Sequence, residues 1–477
     1  MDYLLKSKIK NRSGQLTLNS RTSRIKLLGR WCQQKIYWGW FLGLLLAITA
    51  CTPPTPPPSP TPWPGSTPTP TPQTTFTPAP EATLPPLPTP TPSPTAIPAG
   101  LPAATPINVW VNLPPAQLAL LEEDVAAFQS EFSQYTVELQ QYSTPQEFMT
   151  PLMANQLAFD VVLASPVLLG NLWAAGQIAP MEDFFSPGFI NNFAAVTLAG
   201  ASQEEAIWGL PDTAGFHLLL FYNKDLVDTP PASTSQLLEL AQTLSQGSQW
   251  GLGVNRYDPL WLTPWLVPNG SWLTDQSGRP TLNTPAMESA LTLYLSWQGR
   301  LAGVPPAETY NELRAKFLDG DLAMMIDGEW AIGELANTDE IDWGVALLPQ
   351  VDQAQESQPA VPLVLARYWA ISPAATQTNA LASTEFLTFI TRPERQLIWT
   401  ARLGLLPTRR EALDDPAIIN NPTLRVSAAQ MQAGQAVPLG TNTNALLDAM
   451  RDPLRQVIDG SLTPQEAAAQ MQANAER

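Results

Sequence analysis

Residues 107–165 alternate between strand-like and helix-like patterns, and that alternation restricts the fold more than any other feature of the chain. "INVWVN" over residues 107–112 sets apolar and other side chains at period two, as a half-buried strand does. Leu118, Leu121, Val125, Phe128 and Phe132 follow at helical spacing and form one apolar stripe. "TVELQQY" is a second strand and "EFMTPLMANQL" a second helix. "FDVVLAS" carries the unbroken apolar run of a parallel strand buried on both faces. Parallel strands need crossover connections, which the intervening helices supply. The predicted class is α/β, a doubly wound sheet with ligands beyond the carboxyl ends of its strands.

Residues 107–477 exceed what one core usually organises, which predicts two lobes. The stretch before them cannot pack a core. It holds 22 prolines in residues 52–106, interleaved with Thr and Ser, and Glu81 is its only charge. Proline fixes φ and donates no hydrogen bond, so an extended polyproline spacer is expected. At about 3.1 Å per residue it reaches up to roughly 170 Å. Earlier still, nine basic residues and one acid precede the apolar run from Trp38 to Ala50. That run is too short to cross a bilayer, which takes about 20 apolar residues, and reads as an export signal.

From Cys51 on, the chain carries 16 basic and 41 acidic side chains. So acidic a surface excludes nucleic acid and anionic lipid as its partners. Cys51 is the only thiol beyond the signal, so no disulfide framework is possible. The single histidine, His217, leaves no His/Cys cluster for zinc, and no D-x-D-x-D-G calcium loop occurs. No metal site and no cofactor are expected. Neither G-x-S-x-G nor H-E-x-x-H is present.

Two resemblances sharpen this reading. Ile48-Thr49-Ala50-Cys51 resembles the lipobox of bacterial lipoproteins, which implies cleavage before Cys51, lipidation of its thiol and anchoring to the cell membrane. Five segments of the remaining chain resemble, in order, the solute-binding proteins of ABC importers in the group that includes maltose-binding protein. They are "DVVLASPVLLGNLWAAGQIAPMEDFF", "IWGLPDTAGFHLLLFYNKDLVDTPPASTSQLLELAQTL", "AKFLDGDLAMMIDGEWAIGEL", "ALASTEFLTFITRPERQLIWTARLGLLPTRREAL" and "LTPQEAAAQMQ". Local signals agree: Ser235 and Thr284 stand as helix N-caps, the latter before Pro285.

The resemblance implies a two-lobed periplasmic-binding-protein-like fold, each lobe a doubly wound sheet flanked by helices, joined by a hinge of three crossings. The crossings are expected near residues 211–215, 348–365 and 404–407. The implied division is a signal over 1–50, a lipidated linker over 51–106 and a solute-binding domain over 107–477. Lobe 1 would hold about 107–212 and 365–404, and lobe 2 about 213–364 and 405–477. The implied activity is capture of a small solute, a sugar or oligosaccharide first, by a monomer that delivers it to ABC permease subunits. Signalling lipoproteins and surface glycosidases, which need two opposed carboxylates, are the alternative readings.

Aromatic faces suit the C–H sides of a sugar ring. Trp330 in "DGEW" is the first candidate, because its counterpart in sugar-binding members stacks on the ligand. Trp261 and Trp265 in "YDPLWLTPWLVPNG" come next, flanked by Tyr257 and Asn269, and Trp208, Trp272 and Trp369 follow. The polar candidates are Asp212 at the first crossing, Asn112 and Ser165 at strand ends, and Arg367 and Tyr368 beside Trp369. Three positions depart from the maltose-binding pattern. Ala164 and Val167 stand for an aromatic and an acid, and Phe216 stands for an acid. His217, between Phe216 and an apolar run, is expected to be structural.

Overall fold

The computed structural model describes residues 104–297, 310–338, 340–352 and 357–477. The signal, Cys51 and nearly all of the proline-rich linker lie outside them. Strand Thr105–Val111 pairs in parallel with Tyr135–Gln141 on one side and Val161–Ala164 on the other. It begins two residues before the expected start. At Pro106 only the Tyr135–Gln141 strand is in register, so the prolyl nitrogen interrupts no central ladder.

The first lobe departs from a purely parallel sheet. Its six strands run in the order Leu406–Pro407, Leu210–Gly215, Leu365–Ile371, Val161–Ala164, Thr105–Val111, Tyr135–Gln141. Leu365–Ile371 is antiparallel to both neighbours. The reason is topological: it re-enters from the second lobe, opposite in direction to the outgoing strand Leu210–Gly215. One face of the sheet packs Phe128, Phe386 and Phe389 from helices Pro115–Glu131 and Gln377–Ile390. The other packs Leu168, Leu169 and Leu172 of helix Pro166–Ala174.

The second lobe holds four strands, ordered Trp343–Ala346, Leu218–Asn223, Leu322–Gly328, Trp250–Val254. Leu218–Asn223 is buried on both faces, as its unbroken apolar run requires. Leu218 and Leu220 join the larger core with Trp265 and Trp297, while Leu219 and Phe221 join a smaller one with Phe317 and Leu335. Thr284 caps helix Pro285–Ser296 by accepting the Met287 N–H at 3.1 Å. Helix Thr234–Leu244 is capped by Ser233 rather than Ser235, whose backbone and side chain both bond Asp352 instead.

The expected crossing near 404–407 is corrected by its direction. Leu406 and Pro407 pair antiparallel with Ala214 and Thr213, so this strand runs back into the first lobe. The chain beyond it stays there: Ala194 N–H donates to Thr408 O, Arg410 N–H donates to Asn192 O, and Leu413 and Ile418 lie in the first-lobe core. Helix Pro422–Gln432 then contacts both lobes, and helices Thr443–Ile458 and Pro464–Ala475 pack on the second. The sequence assigned all of 405–477 to lobe 2. A Leu-Pro pair marks a short edge strand, but pairing partners set its direction.

Candidate functional site

The carboxyl end of Val161–Ala164, the strand Leu210–Gly215, the start of Leu365–Ile371 and the end of Leu322–Gly328 converge on a cavity of about 310 Å³. Gln117, Ser165 and Pro166 line it from the first lobe, 213–216 and 365–367 along the crossings, and Glu329 from the second. Ser165 also caps helix Pro166–Ala174 through the Leu168 N–H at 3.3 Å. Polar groups at strand ends are brought together here, as a doubly wound half-sheet dictates.

Two residues lining this cavity each carry a buried polar atom without a partner: Glu329 Oε2, an acceptor, and Arg367 Nε, a donor. Arg367 is otherwise occupied. Its guanidinium pairs with Asp212 at 2.8 Å and donates to the Gln117 side chain. Glu329 lies against the first crossing because residue 215 is glycine; a Cβ there would stand 2.3 Å from Glu329 Oε1. Burial pushes the Glu329 carboxyl up to about 7, against the backbone N–H groups of Phe216, Glu329 and Trp330 that favour its ionised form. Such buried, unpaired groups carry a desolvation cost that a ligand hydroxyl would offset.

Phe216 forms the aromatic side of the cavity. Its backbone is left-handed, with φ of 69°, and its side chain is 47% exposed. A phenylalanine held there is strained, a condition concentrated at functional sites. Its ring centroid is 5.5 Å from that of half-buried Trp330. Trp330 folds back over its own strand, since a Cβ on Gly328 would meet its ring at 2.2 Å. The Trp330 indole N–H donates to Tyr310 Oη at 2.7 Å, and Trp261 meets both rings edge-on.

The other sequence candidates fall elsewhere. Trp261 is buried, with its N–H bonded to Ile326 O at 2.7 Å, so it supports Trp330 from behind. Trp265 is fully buried against Trp297 and donates to Trp261 O. Tyr257 donates to Asp459, Asn269 to Trp265 O, and exposed Asn112 to Ser143 O. Tyr368 and Trp369 sit in first-lobe cores, bonded to Thr197 O and Asp212 respectively. Asp212 therefore holds Arg367 and Trp369 in place and does not line the cavity. Trp208 bonds Gln203 O and Trp272 is buried in the second lobe. His217 is fully buried beside Ser427, and burial lowers its pKa to about 3, which keeps it neutral.

Sequence reasoning missed Glu329, Phe216, Gln117 and Tyr310. Glu329 precedes Trp330 in the quoted "DGEW", but only the missing side chain of Gly215 shows where its carboxylate goes. A larger cavity of about 780 Å³ opens beside Gly404, between Trp343, Thr400 and Leu424. None of its lining residues among those described has a buried unpaired polar side-chain atom. The smaller cavity is thus the stronger candidate.

Residues 124–426 match the family model described as bacterial extracellular solute-binding protein. The chain is 22% identical to the maltotriose-binding protein of Pyrococcus abyssi over 73% of this chain and 77% of that one. It is also 22% identical to a maltooligosaccharide ABC transporter solute-binding lipoprotein of Streptococcus pneumoniae, covering 65% and 74% of the two chains. Its fold superimposes on a cyclo/maltodextrin-binding protein complexed with maltotetraose, with TM-score 0.70, 22% identity and coverage of 79% and 98%. The maltose/maltodextrin-binding domain MalE of Bdellovibrio bacteriovorus, bound to maltotriose, gives TM-score 0.61 at 24% identity, covering 78% and 99%. With the matched model spanning well over half its length, the chain belongs to the bacterial extracellular solute-binding proteins, a family that binds solutes without converting them.

Proposed function

We propose that this protein captures a sugar or oligosaccharide between its lobes and delivers it to an ABC permease. The observation that carries the reading is that Glu329 and Arg367, each with an unpartnered buried polar atom, line one cavity beside an exposed aromatic ring. A carboxylate acceptor, a guanidinium donor and the Phe216–Trp330 pair match a ligand with hydroxyls at its edges and C–H faces between them. Relatives named for maltotriose and maltooligosaccharides support the same ligand class. The crossing strands 210–215 and 365–371 lie side by side beneath the cavity, so bending there would close one lobe on the other.

The expected result is heat of binding with at least one saccharide in a calorimetric panel of mono- and oligosaccharides, with a smaller radius of gyration in X-ray scattering when that sugar is present. An unchanged scattering profile and no heat across the panel would sink the reading.

The chain is further proposed to be a monomer tethered to the membrane through lipidated Cys51. Cys51→Ala should move the protein from the membrane fraction to the medium or periplasm, because anchoring that rests on acyl chains is lost with them. Retention in the membrane fraction would place the anchor elsewhere.

A further inference from the structure

Trp330 is the end of a hydrogen-bonded chain that runs back into the second lobe. Its indole N–H donates to Tyr310 Oη at 2.7 Å, and the Tyr310 hydroxyl donates to Asp327 Oδ1 at 2.8 Å. Asp327 is the next-to-last residue of strand Leu322–Gly328 and is 0% exposed. Its carboxylate also accepts the Gly328 N–H at 2.8 Å and faces Arg314 Nε at 3.5 Å, and Arg314 in turn pairs with Glu334 at 2.6 Å. Among the described residues, Tyr310, Gly328 and Arg314 each present a hydrogen to this carboxylate. A proton on Oδ1 would face the Tyr310 and Gly328 hydrogens, and one on Oδ2 would face Arg314. Gly328 and Arg314 cannot accept that proton, and the Tyr310 hydroxyl could take it only by turning round and giving up its own donation to the carboxylate.

We propose that Asp327 and Tyr310 are positioning residues for the ligand platform: they fix the rotation of the Trp330 indole beside Phe216, and protonation of Asp327 releases it. The proposal rests on the saccharide-binding reading for its functional consequence, but the brace itself is a property of the free protein. A neutral acid accepts a weaker hydrogen bond than a carboxylate, so the indole is held less firmly once the proton arrives. Burial pushes Asp327 up to about 6, which puts the change within a pH unit or so of neutrality. The groups facing it are Tyr310 and Arg314 from helix Tyr310–Leu318, Glu334 from helix Ala331–Leu335 and Glu329 at its own strand end. Leu219 is its register partner on the adjacent strand. Above the titration the platform is locked; affinity falls as pH drops through it.

The test uses the full chain labelled with ¹⁵N-tryptophan, with the Trp330 indole N–H resonance assigned by its loss in Trp330→Phe. That resonance should titrate with a midpoint near pH 6, keep doing so in Glu329→Gln, and stop in Asp327→Asn and Tyr310→Phe. In calorimetry with maltotriose, Tyr310→Phe should weaken binding about five-fold at pH 7.5. In a Trp330→Phe background it should add no further loss, since Tyr310 acts only through the indole. An indole resonance that does not titrate, or that still titrates in Asp327→Asn, overturns the brace. Equal loss from Tyr310→Phe in both backgrounds overturns it too. If maltotriose gives no heat with any form, the indole titration alone decides the brace, and the missing heat counts against the saccharide reading.

Discussion

Trp330→Ala should lower saccharide affinity by roughly 30-fold or more while the protein stays folded, because truncating a central aromatic contact typically costs about 2 kcal/mol or more and each 1.4 kcal/mol is tenfold. The indole stands beside Phe216 at the cavity and is held by Tyr310, so alanine removes both the apolar face and the partner that supports the strained Phe216 ring. The strand beneath it is fixed independently by pairing with 218–223 and 250–254, which is why the fold should survive. Calorimetric titration with whichever saccharide binds, together with circular dichroism, reads both effects. An unchanged dissociation constant would place the binding surface away from this pair.

Trp265→Ala should give the opposite signature. Removing a fully buried tryptophan leaves a cavity among Trp261, Trp297 and Leu266, and large-to-alanine changes of this kind cost about 3–5 kcal/mol. The second lobe should therefore unfold at a markedly lower urea concentration, while affinity measured at low temperature, where the variant remains folded, changes little. A variant of near-normal stability that no longer binds would move Trp265 into the site. Trp261 and Trp265 share one sequence neighbourhood, which by itself suits either role equally.

Much of the framework was legible. The period-two run at 107–112 and the apolar run at 161–164 became parallel strands of the first sheet, and the stripe from Leu118 to Phe132 packs in its core. Capping residues marked starts of helices, Thr284 correctly and Ser235 two residues late. The site was less legible. Of the predicted ligand contacts, Ser165 and Arg367 line the cavity and Trp330 stands beside it, while Tyr368, Trp369, Trp265 and Tyr257 hold other parts of the lobes together. The acid missing at Phe216 reappears close by as Glu329, contributed by the other lobe.

Periodicity and turn chemistry are local properties, and so the sequence by itself determined the α/β class, the opening strands and helices of the first lobe, and the family to which its motifs point. Which aromatic is a platform and which a core residue depends on what stands across from it, and that neighbour is often a hundred residues away. Tertiary structure alone decided that Gly215 makes room for Glu329, that Asp212 is consumed by Arg367 and Trp369, and that the strand at 406–407 turns back instead of crossing. In each case the deciding quantity was a distance between chain-remote atoms, which no spacing along one chain encodes.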